Sequence, residues 1–167
     1  DLSNVESLES MFSGAVSFNG AIGNWNTETI LKMERMFADA TLFNQDIGAW
    51  DTTKVTDMGF MYFNAHAFNQ DIGGWKTQNV TSMFAMFANL TENSTFNQDI
   101  SEWDVSKVTN FLSMFNGAGA FDQNLGAWNI SSTENMSNMF NDAGMSSENY
   151  SNTLIGWDGQ GEIPGDV

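Results

Sequence analysis

Cysteine is absent from this 167-residue sequence, and basic residues are scarce. The missing cysteine excludes disulfide bonds, thiolate zinc sites and cysteine nucleophiles. Only 5 Lys and Arg residues stand against 21 Asp and Glu residues, which gives a formal net charge of −16. Such a chain repels phosphate backbones and anionic lipid headgroups, so we expect no nucleic-acid partner. The same charge favours solubility, high-salt surroundings or the binding of cations.

Long apolar runs are also missing, since none approaches the ~20 residues that a membrane-spanning helix needs. We therefore expect no membrane insertion. The sequence starts at Asp1 inside a repeat and without a signal peptide, so we expect a piece of a longer protein. Apolar residues still make up 41% of the chain, with 6 Trp and 14 Phe, which predicts a folded core rather than disorder.

An eight-residue motif organises the chain. It reads FNQDIGAW at 43–50, returns at 68–75 and 96–103, and has looser copies at 18–25 and 121–128. The steps between its tryptophans are 25, 25, 28 and 25 residues. A fixed period of this size indicates a solenoid, in which each repeat stacks only on its neighbours. The longer step reflects extra residues within 88–95, which we expect to bulge outward because the stack fixes the interior.

Apolar positions within each repeat predict the local structure. With Trp counted as zero, positions −3, 0 and +2 have the spacing of a leucine-rich-repeat strand, in which alternate residues point inward. Positions +5, +8 and +11 are apolar in nearly every copy, and this spacing of three favours a short helix or 3₁₀ segment. We therefore predict an α/β fold: a leucine-rich-repeat-like, right-handed solenoid of five to six coils, with a short strand and a short helix per coil.

The chain divides into one domain and a tail. We predict a single repeat solenoid over 1–157, with a partial coil at its N-terminus and an atypical C-terminal cap at 145–157. The tail 158–167 is rich in Gly and Pro and is predicted to be a flexible linker. All motif tryptophans should form one buried row. An end coil has one neighbour fewer, so replacing Trp157 should destabilise the fold less than replacing Trp75.

These motifs carry a resemblance to a known family. The stretches 43–56 and 96–109 share FNQDI-x-x-WD-(T/V)-(T/S)-KVT, and the Met-x-x-Met pairs and the closing NYSNTLIGW at 149–157 fit the same pattern. The chain resembles the BspA-like bacterial surface repeats, which are leucine-rich-repeat relatives. The resemblance implies an extracellular location at the bacterial cell surface and an adhesive or recognition role. It defines no catalytic residue that could be carried over.

Outward positions that vary while the skeleton repeats are the candidate ligand-binding residues. Positions one and three after Trp point away from the predicted strand and would form an extended surface. Lys76 is flanked there by Asp51 and Asp104, and Gln78 lies beside it. These four residues are the predicted ligand-binding site. The alternatives are a solvated face, or a salt bridge from Lys76 to its acidic neighbours.

One column of aspartates is a candidate for metal binding. Asp46, Asp71 and Asp99 recur at the same position of the central copies, where stacked carboxylates would repel one another. Either backbone N–H groups satisfy them, or a hard cation such as calcium lies between them. No Asp-x-Asp-x-Asp-Gly loop is present, so we expect no cofactor and keep calcium as the alternative.

The function expected from the sequence is a non-catalytic adhesion or ligand-binding module of a large bacterial cell-surface protein. Its partner would be an extracellular protein, peptide or glycan, bound by a monomeric module of a longer chain. The alternative is a structural spacer or capping solenoid without a ligand of its own. No Gly-x-Ser-x-Gly motif, phosphate loop or His/Asp/Ser set is present, so we expect no enzyme.

Overall fold

The computed structural model describes residues 2–91 and 93–160. The chain winds into coils that stack with the period of the sequence. Neighbouring coils meet at isolated parallel β-bridges, with one bridge residue per coil. The bridge residues are Ser7, Lys32, Asp57, Ser82, Asn110 and Asn135, each paired with the next. Further hydrogen bonds flank each bridge, such as that from the Met33 N–H to the Asp57 carbonyl at 3.1 Å.

The prediction of an α/β fold with a strand and a helix in every coil is wrong. Within the described ranges the only helix is α1, Ser147–Trp157, and no strand extends beyond a single bridge residue. The predicted strand fails because the Trp50 N–H donates to the Ile47 carbonyl at 3.1 Å. This bond closes a tight turn in the segment where the alternating pattern predicts extended backbone.

The apolar spacing of three has a different cause from the predicted helix. The Met36 N–H donates to the Met33 carbonyl at 3.2 Å, and the Ala38 N–H donates to the Arg35 carbonyl at 3.1 Å. Each such bond closes a turn that advances the chain by three residues. Arg35 has φ of 55°, in the left-handed region, so no helix can continue through it. The same positive φ recurs one coil later at Phe60, and each coil is therefore a series of short turns.

Aromatic rings fill the interior of the stack. The buried members of the motif row are Trp50, Trp75, Trp103 and Trp128. Trp50 stacks on Trp75 with ring centroids 6.4 Å apart, and Phe43 stacks on Phe68 at 5.9 Å. Trp25, in the first coil, is only half-buried. Offset ring columns of this kind bury a large apolar area in each coil, so they carry much of the hydrophobic stabilisation.

Helix α1 covers the last coil. It begins after Ser146, whose hydroxyl caps it by accepting a first-turn N–H at 3.2 Å. At its end Trp157 is fully buried, and its indole N–H donates to the Leu125 carbonyl at 2.9 Å. The side chain of Gln160 accepts a backbone N–H of the last coil at 2.9 Å, so the start of the predicted linker is bonded to the stack. The remainder of that linker, 161–167, lies outside the described residues.

Candidate ligand-binding surface

The four predicted binding residues lie in register on adjacent coils. Asp51, Lys76 and Asp104 are exposed, and Gln78 is half-buried. A column of buried threonines fixes the backbone of this row. The Thr52 hydroxyl, for example, donates to the Lys76 carbonyl at 3.1 Å and accepts the Lys76 N–H at 2.8 Å. The row is therefore built on ordered backbone, and its role in binding stays a prediction.

Each of the two acidic residues of the row accepts hydrogen bonds from the residue two positions later in the chain. The hydroxyl and then the N–H of Thr53 lower the pKa of Asp51, with the N–H 2.9 Å from Oδ1. Ser106 acts in the same way on Asp104, and its hydroxyl, 2.6 Å from Oδ1, lowers the pKa of that carboxyl most. Hydrogen bonds to the charged form favour ionisation, so both positions present negative charge at neutral pH.

Lys76 does not bridge its acidic neighbours. Among the described residues, the one ion pair closer than 4.0 Å joins Arg35 to Glu34, at 3.7 Å. No salt bridge therefore connects Lys76 with Asp51 or Asp104. The ammonium group remains available to an anionic group of a ligand, which is the arrangement that the binding hypothesis requires.

The aspartate column closes short turns. Asp46, Asp71 and Asp99 are exposed, and the Oδ1 atom of each accepts the N–H of the residue two positions later at 3.0 Å. The Ser101 N–H that bonds to Asp99 also lowers the pKa of that carboxyl. Backbone donors thus satisfy one oxygen of each carboxylate. Within 2–91 and 93–160, no group of three or more His, Cys, Asp or Glu side chains is placed to hold a metal ion.

The asparagine column forms a hydrogen-bonded ladder. Oδ1 of Asn69 accepts the Asn97 N–H at 3.0 Å and Nε2 of Gln98 at 2.9 Å. Equivalent bonds begin at Asn19 and continue to Asp122, whose Oδ1 accepts a backbone N–H next to α1 at 2.8 Å. The Asn-Gln pair of the motif therefore joins coil to coil, which explains its recurrence without any ligand.

A partly exposed apolar cluster lies where the left-handed turns of neighbouring coils meet. We call Phe60, Phe63, Phe84 and Leu90 the aromatic corner. The phenylalanines are half-buried and Leu90 is 75% exposed, and all four line a shallow cavity of about 210 Å³. Phe60 meets Phe63 and Phe84 edge to face, with ring centroids 5.5 and 4.5 Å apart. The sequence predictions did not include this cluster.

Charged side chains border the aromatic corner. The guanidinium carbon of Arg35 lies 4.3 Å from the centroid of the Phe60 ring, a cation–π contact. Asp57 accepts the Gly59 N–H at 2.9 Å, directly before Phe60 in the chain. Phe60 itself has φ of 55°, which a bulky side chain rarely adopts. Phe60 thus combines a left-handed backbone with a cation–π contact at its ring.

The insertion supplies Leu90 and is fastened by His66. The N–H and the hydroxyl of Thr95 donate to the His66 carbonyl at 3.1 and 2.9 Å. The Thr91 hydroxyl donates to Oδ1 of Asn89 at 2.9 Å, which leaves the Thr91 oxygen to accept from Nε2 of His66 at 3.2 Å. Leu90 is therefore displayed by a bulge whose described residues are tied down on both sides.

A sequence signal for the aromatic corner exists in the variable columns. Other copies place Arg35, Ala85, Ser113 or Asn138 at the position of Phe60, so stacking does not require phenylalanine there. Sequence reasoning missed it because a phenylalanine in a repeat with this many rings is ordinarily a core residue. The sequence instead predicted the binding site at the positions just after each Trp.

The described helix is too short and too polar to span a membrane. The repeat region matches the model of a family described as Mycoplasma protein of unknown function, DUF285, over residues 1–95 and again over 90–158. No curated protein and no solved structure shows significant similarity to the chain. Because the two matched segments together extend over most of its length, the chain belongs to the DUF285 family.

Proposed function

We propose that this chain is a non-catalytic binding module that holds an extracellular protein ligand at the aromatic corner. The observation that carries the proposal is the surface cavity that half-buried Phe60, Phe63 and Phe84 form with exposed Leu90. Coil stacking buries the core rings fully, whereas Phe60 and Phe84 stay half-buried at the surface although they contact each other between neighbouring coils. Contiguous apolar side chains that reach the surface within a polar border are characteristic of interaction sites in soluble proteins.

The ligand segment should combine an apolar side chain with basic residues. The apolar side chain fits the cavity between the rings, where its burial contributes to affinity. The surrounding surface belongs to a chain of net charge −16. Asp57 lies three residues before Phe60, and Asp39 accepts a hydrogen bond at 2.8 Å from the side chain of Asn64, the residue after Phe63. Arg35, the cation that contacts the corner, is already engaged with Phe60 and Glu34. Electrostatic complementarity therefore favours a positively charged partner.

We place this module in a larger protein at the bacterial cell surface. The description of its family from Mycoplasma supports the bacterial source. The resemblance of the FNQDIGAW motif to BspA-like surface repeats supports the extracellular location and an adhesive role. A spacer function is the competing proposal, because the Asn and Trp ladders would stabilise the stack equally well without a ligand.

The test is a binding array that contains peptides with an apolar residue flanked by lysines, their glutamate-flanked counterparts, and glycans. Phe60→Ser and Leu90→Ser should weaken binding of the basic peptides at least about tenfold, as for central interface residues. Serine is compatible with the first position because Ser113, with φ of 57°, occupies it in a later coil. Leu42→Ser is the matched control, since Leu42 is 57% exposed and lies outside the corner.

Two results would contradict the proposal. If Phe60→Ser and Leu90→Ser retain full binding of the basic peptides, the ligand site lies elsewhere. If no peptide or glycan binds above background, the spacer function is favoured. Thermal melting of each variant establishes that a loss of binding is not a loss of fold, and binding should weaken as salt is raised.

A further inference from the structure

A chain of hydrogen bonds connects Asp39 to the wall of the aromatic corner. Nδ2 of Asn64 donates to Oδ1 of Asp39 at 2.8 Å, and Oδ1 of Asn64 accepts the Leu90 N–H at 2.9 Å. A single side-chain amide therefore separates the Asp39 carboxylate from the backbone of Leu90. Because Leu90 lines the cavity, the charge of Asp39 lies close to the place where the proposed ligand would bind.

Backbone hydrogen bonds hold the same two residues against the cavity. The Asp39 N–H donates to the Phe63 carbonyl at 2.7 Å, and the Asn64 N–H donates to the Ala88 carbonyl at 3.0 Å. Phe63 and Ala88 both line the cavity. Asp39 and Asn64 have φ of 59° and 53°, so the same left-handed turn places them in register on adjacent coils. The position of the carboxylate is thus fixed relative to the cavity.

The carboxylate also fixes the orientation of the amide. An ionised carboxylate can only accept hydrogen bonds, so the NH₂ group of Asn64 must face Asp39 and its oxygen must face the Leu90 N–H. A flipped amide would set oxygen against oxygen at Asp39 and donor against donor at Leu90. The orientation of Asp39 and the position of Leu90 are therefore coupled through Asn64.

Asp39 can accept a further bond from outside the chain. It is exposed, and its Oδ1 atom takes part in the bond to Asn64. Among the described residues no basic side chain lies within 4.0 Å of Asp39, since Arg35 pairs with Glu34 instead. Oδ2 is the oxygen that remains for a donor on a partner. Asp57, the other acidic residue near the corner, is half-buried.

We propose that Asp39 is the anchor for the basic side chain of the ligand, and that Asn64 couples this anchor to the cavity. The inference rests on the proposed function, and it names the group that the positive charge of the ligand contacts. A lysine or arginine of a partner peptide donates to Oδ2 in a charge-assisted hydrogen bond. That residue must lie close in sequence to the apolar residue, so that one side chain enters the cavity while the other reaches Asp39.

The test compares two peptides that share the apolar residue and are flanked by lysine or by glutamine. Asp39→Asn keeps an acceptor oxygen for Asn64 and removes the charge. It should weaken binding of the lysine peptide about threefold or more at physiological salt and leave that of the glutamine peptide unchanged. Asp142→Asn is the matched control, because exposed Asp142 holds the same repeat position in a later coil, with φ of 54°. It removes the same charge and should change neither affinity.

A second variant tests the coupling without any ligand. Asn64→Gly removes the amide, and glycine suits the backbone there because Gly117 holds the same repeat position two coils later, with φ of 69°. We expect at least about tenfold faster hydrogen exchange at the Leu90 N–H, read by NMR, and weaker binding of both peptides. Exchange at the Met61 N–H, in the buried core of the coil, should stay as in the parent and thereby exclude general unfolding.

Other outcomes would overturn the proposal. Unchanged exchange at Leu90 in Asn64→Gly would refute the coupling. Equal binding of the lysine peptide by Asp39→Asn and the parent would refute the anchor, and an equal loss in Asp142→Asn would show an effect of net charge alone. If Phe60→Ser weakens binding of both peptides and Asp39→Asn weakens neither, the corner is the site without this anchor. Full binding by Phe60→Ser would refute the proposed function instead, and exchange at Leu90 would still decide whether the coupling exists.

Discussion

The indole N–H of Trp75 donates to the backbone carbonyl of Ile47, in the preceding coil, at 3.2 Å. The same bond recurs in every following coil, with lengths between 2.9 and 3.1 Å. It joins position 0 of one repeat to position −3 of its neighbour, so both residues must return at a fixed period. The recurrent Ile-x-x-Trp pattern is therefore a consequence of coil stacking and carries no information about a ligand.

The first prediction concerns this tryptophan row. Trp75→Ala should lower the free energy of unfolding by about 3–5 kcal/mol, because it removes a buried ring that stacks between Trp50 and Trp103. Trp25→Ala should cost clearly less, since Trp25 is half-buried and its N–H is unpaired among the described residues. The sequence alone assigns the smaller loss to Trp157, but that side chain is fully buried and should be costly. Urea denaturation measures all three, and equal losses at Trp25 and Trp75 would contradict the ranking.

The second prediction concerns a buried hydroxyl. Tyr62 stacks between Phe37 and Phe87 at 5.7 and 5.5 Å, and its hydroxyl has no hydrogen-bond partner within the described residues. Burial without a partner raises the pKa of Tyr62 well above its usual value. Tyr62→Phe should therefore stabilise the protein by about 1 kcal/mol, because it removes an uncompensated desolvation penalty. Phe37→Tyr is the reverse control and should destabilise it. A lower melting temperature for Tyr62→Phe would reveal an unrecognised partner.

Sequence reasoning found the period of this molecule and missed the shape of its coils. The period and the row of tryptophans could be predicted because stacking forces the residues that form them to recur. The turns could not be predicted, because residues with left-handed backbone such as Arg35 and Asp39 are not glycines and give no local signal. The predicted row around Lys76 lies at exposed or half-buried positions on adjacent coils, and its role in binding stays a prediction. The aromatic corner was not predicted because burial of a phenylalanine depends on its tertiary neighbours, which the sequence of a single repeat does not specify.

The third prediction concerns calcium. Backbone N–H groups already satisfy one oxygen each of Asp46, Asp71 and Asp99 at 3.0 Å. We therefore expect a metal chelator to leave the melting temperature unchanged. If calcium bound to the folded state, the melting temperature would instead rise as the ion is added. Such a rise, lost in Asp71→Asn, would establish the metal site that the turn geometry does not require.

The fourth prediction concerns acid stability at the end of the Asn ladder. The Ser146 N–H, the Asn149 side chain and the Ser146 hydroxyl lower the pKa of Asp122. A lowered folded pKa contributes stability that is present above the unfolded pKa of about 4 and is lost as pH falls through the folded value. Asp122→Asn keeps an acceptor oxygen, as Asn97 has one coil earlier, and removes this titration. Its stability should fall less steeply below about pH 4 than that of the parent. Parallel pH profiles of the two proteins would exclude this contribution.

The last prediction connects stacking with the aromatic corner. Gly117 has φ of 69°, and a Cβ at this position would collide with the carbonyl oxygen of Asn89, where the insertion begins. Gly117→Ala should therefore cost at least about 2 kcal/mol, since strain from the left-handed backbone adds to a backbone clash. Gly74→Ala is the matched control, because a Cβ there meets no atom within 4 Å. Since Asn89 precedes Leu90, the first variant should also weaken ligand binding at the corner, while the control should not. Wild-type stability of Gly117→Ala would mean that the insertion moves freely relative to the next coil, and Leu90 could then no longer be treated as a fixed part of the binding surface.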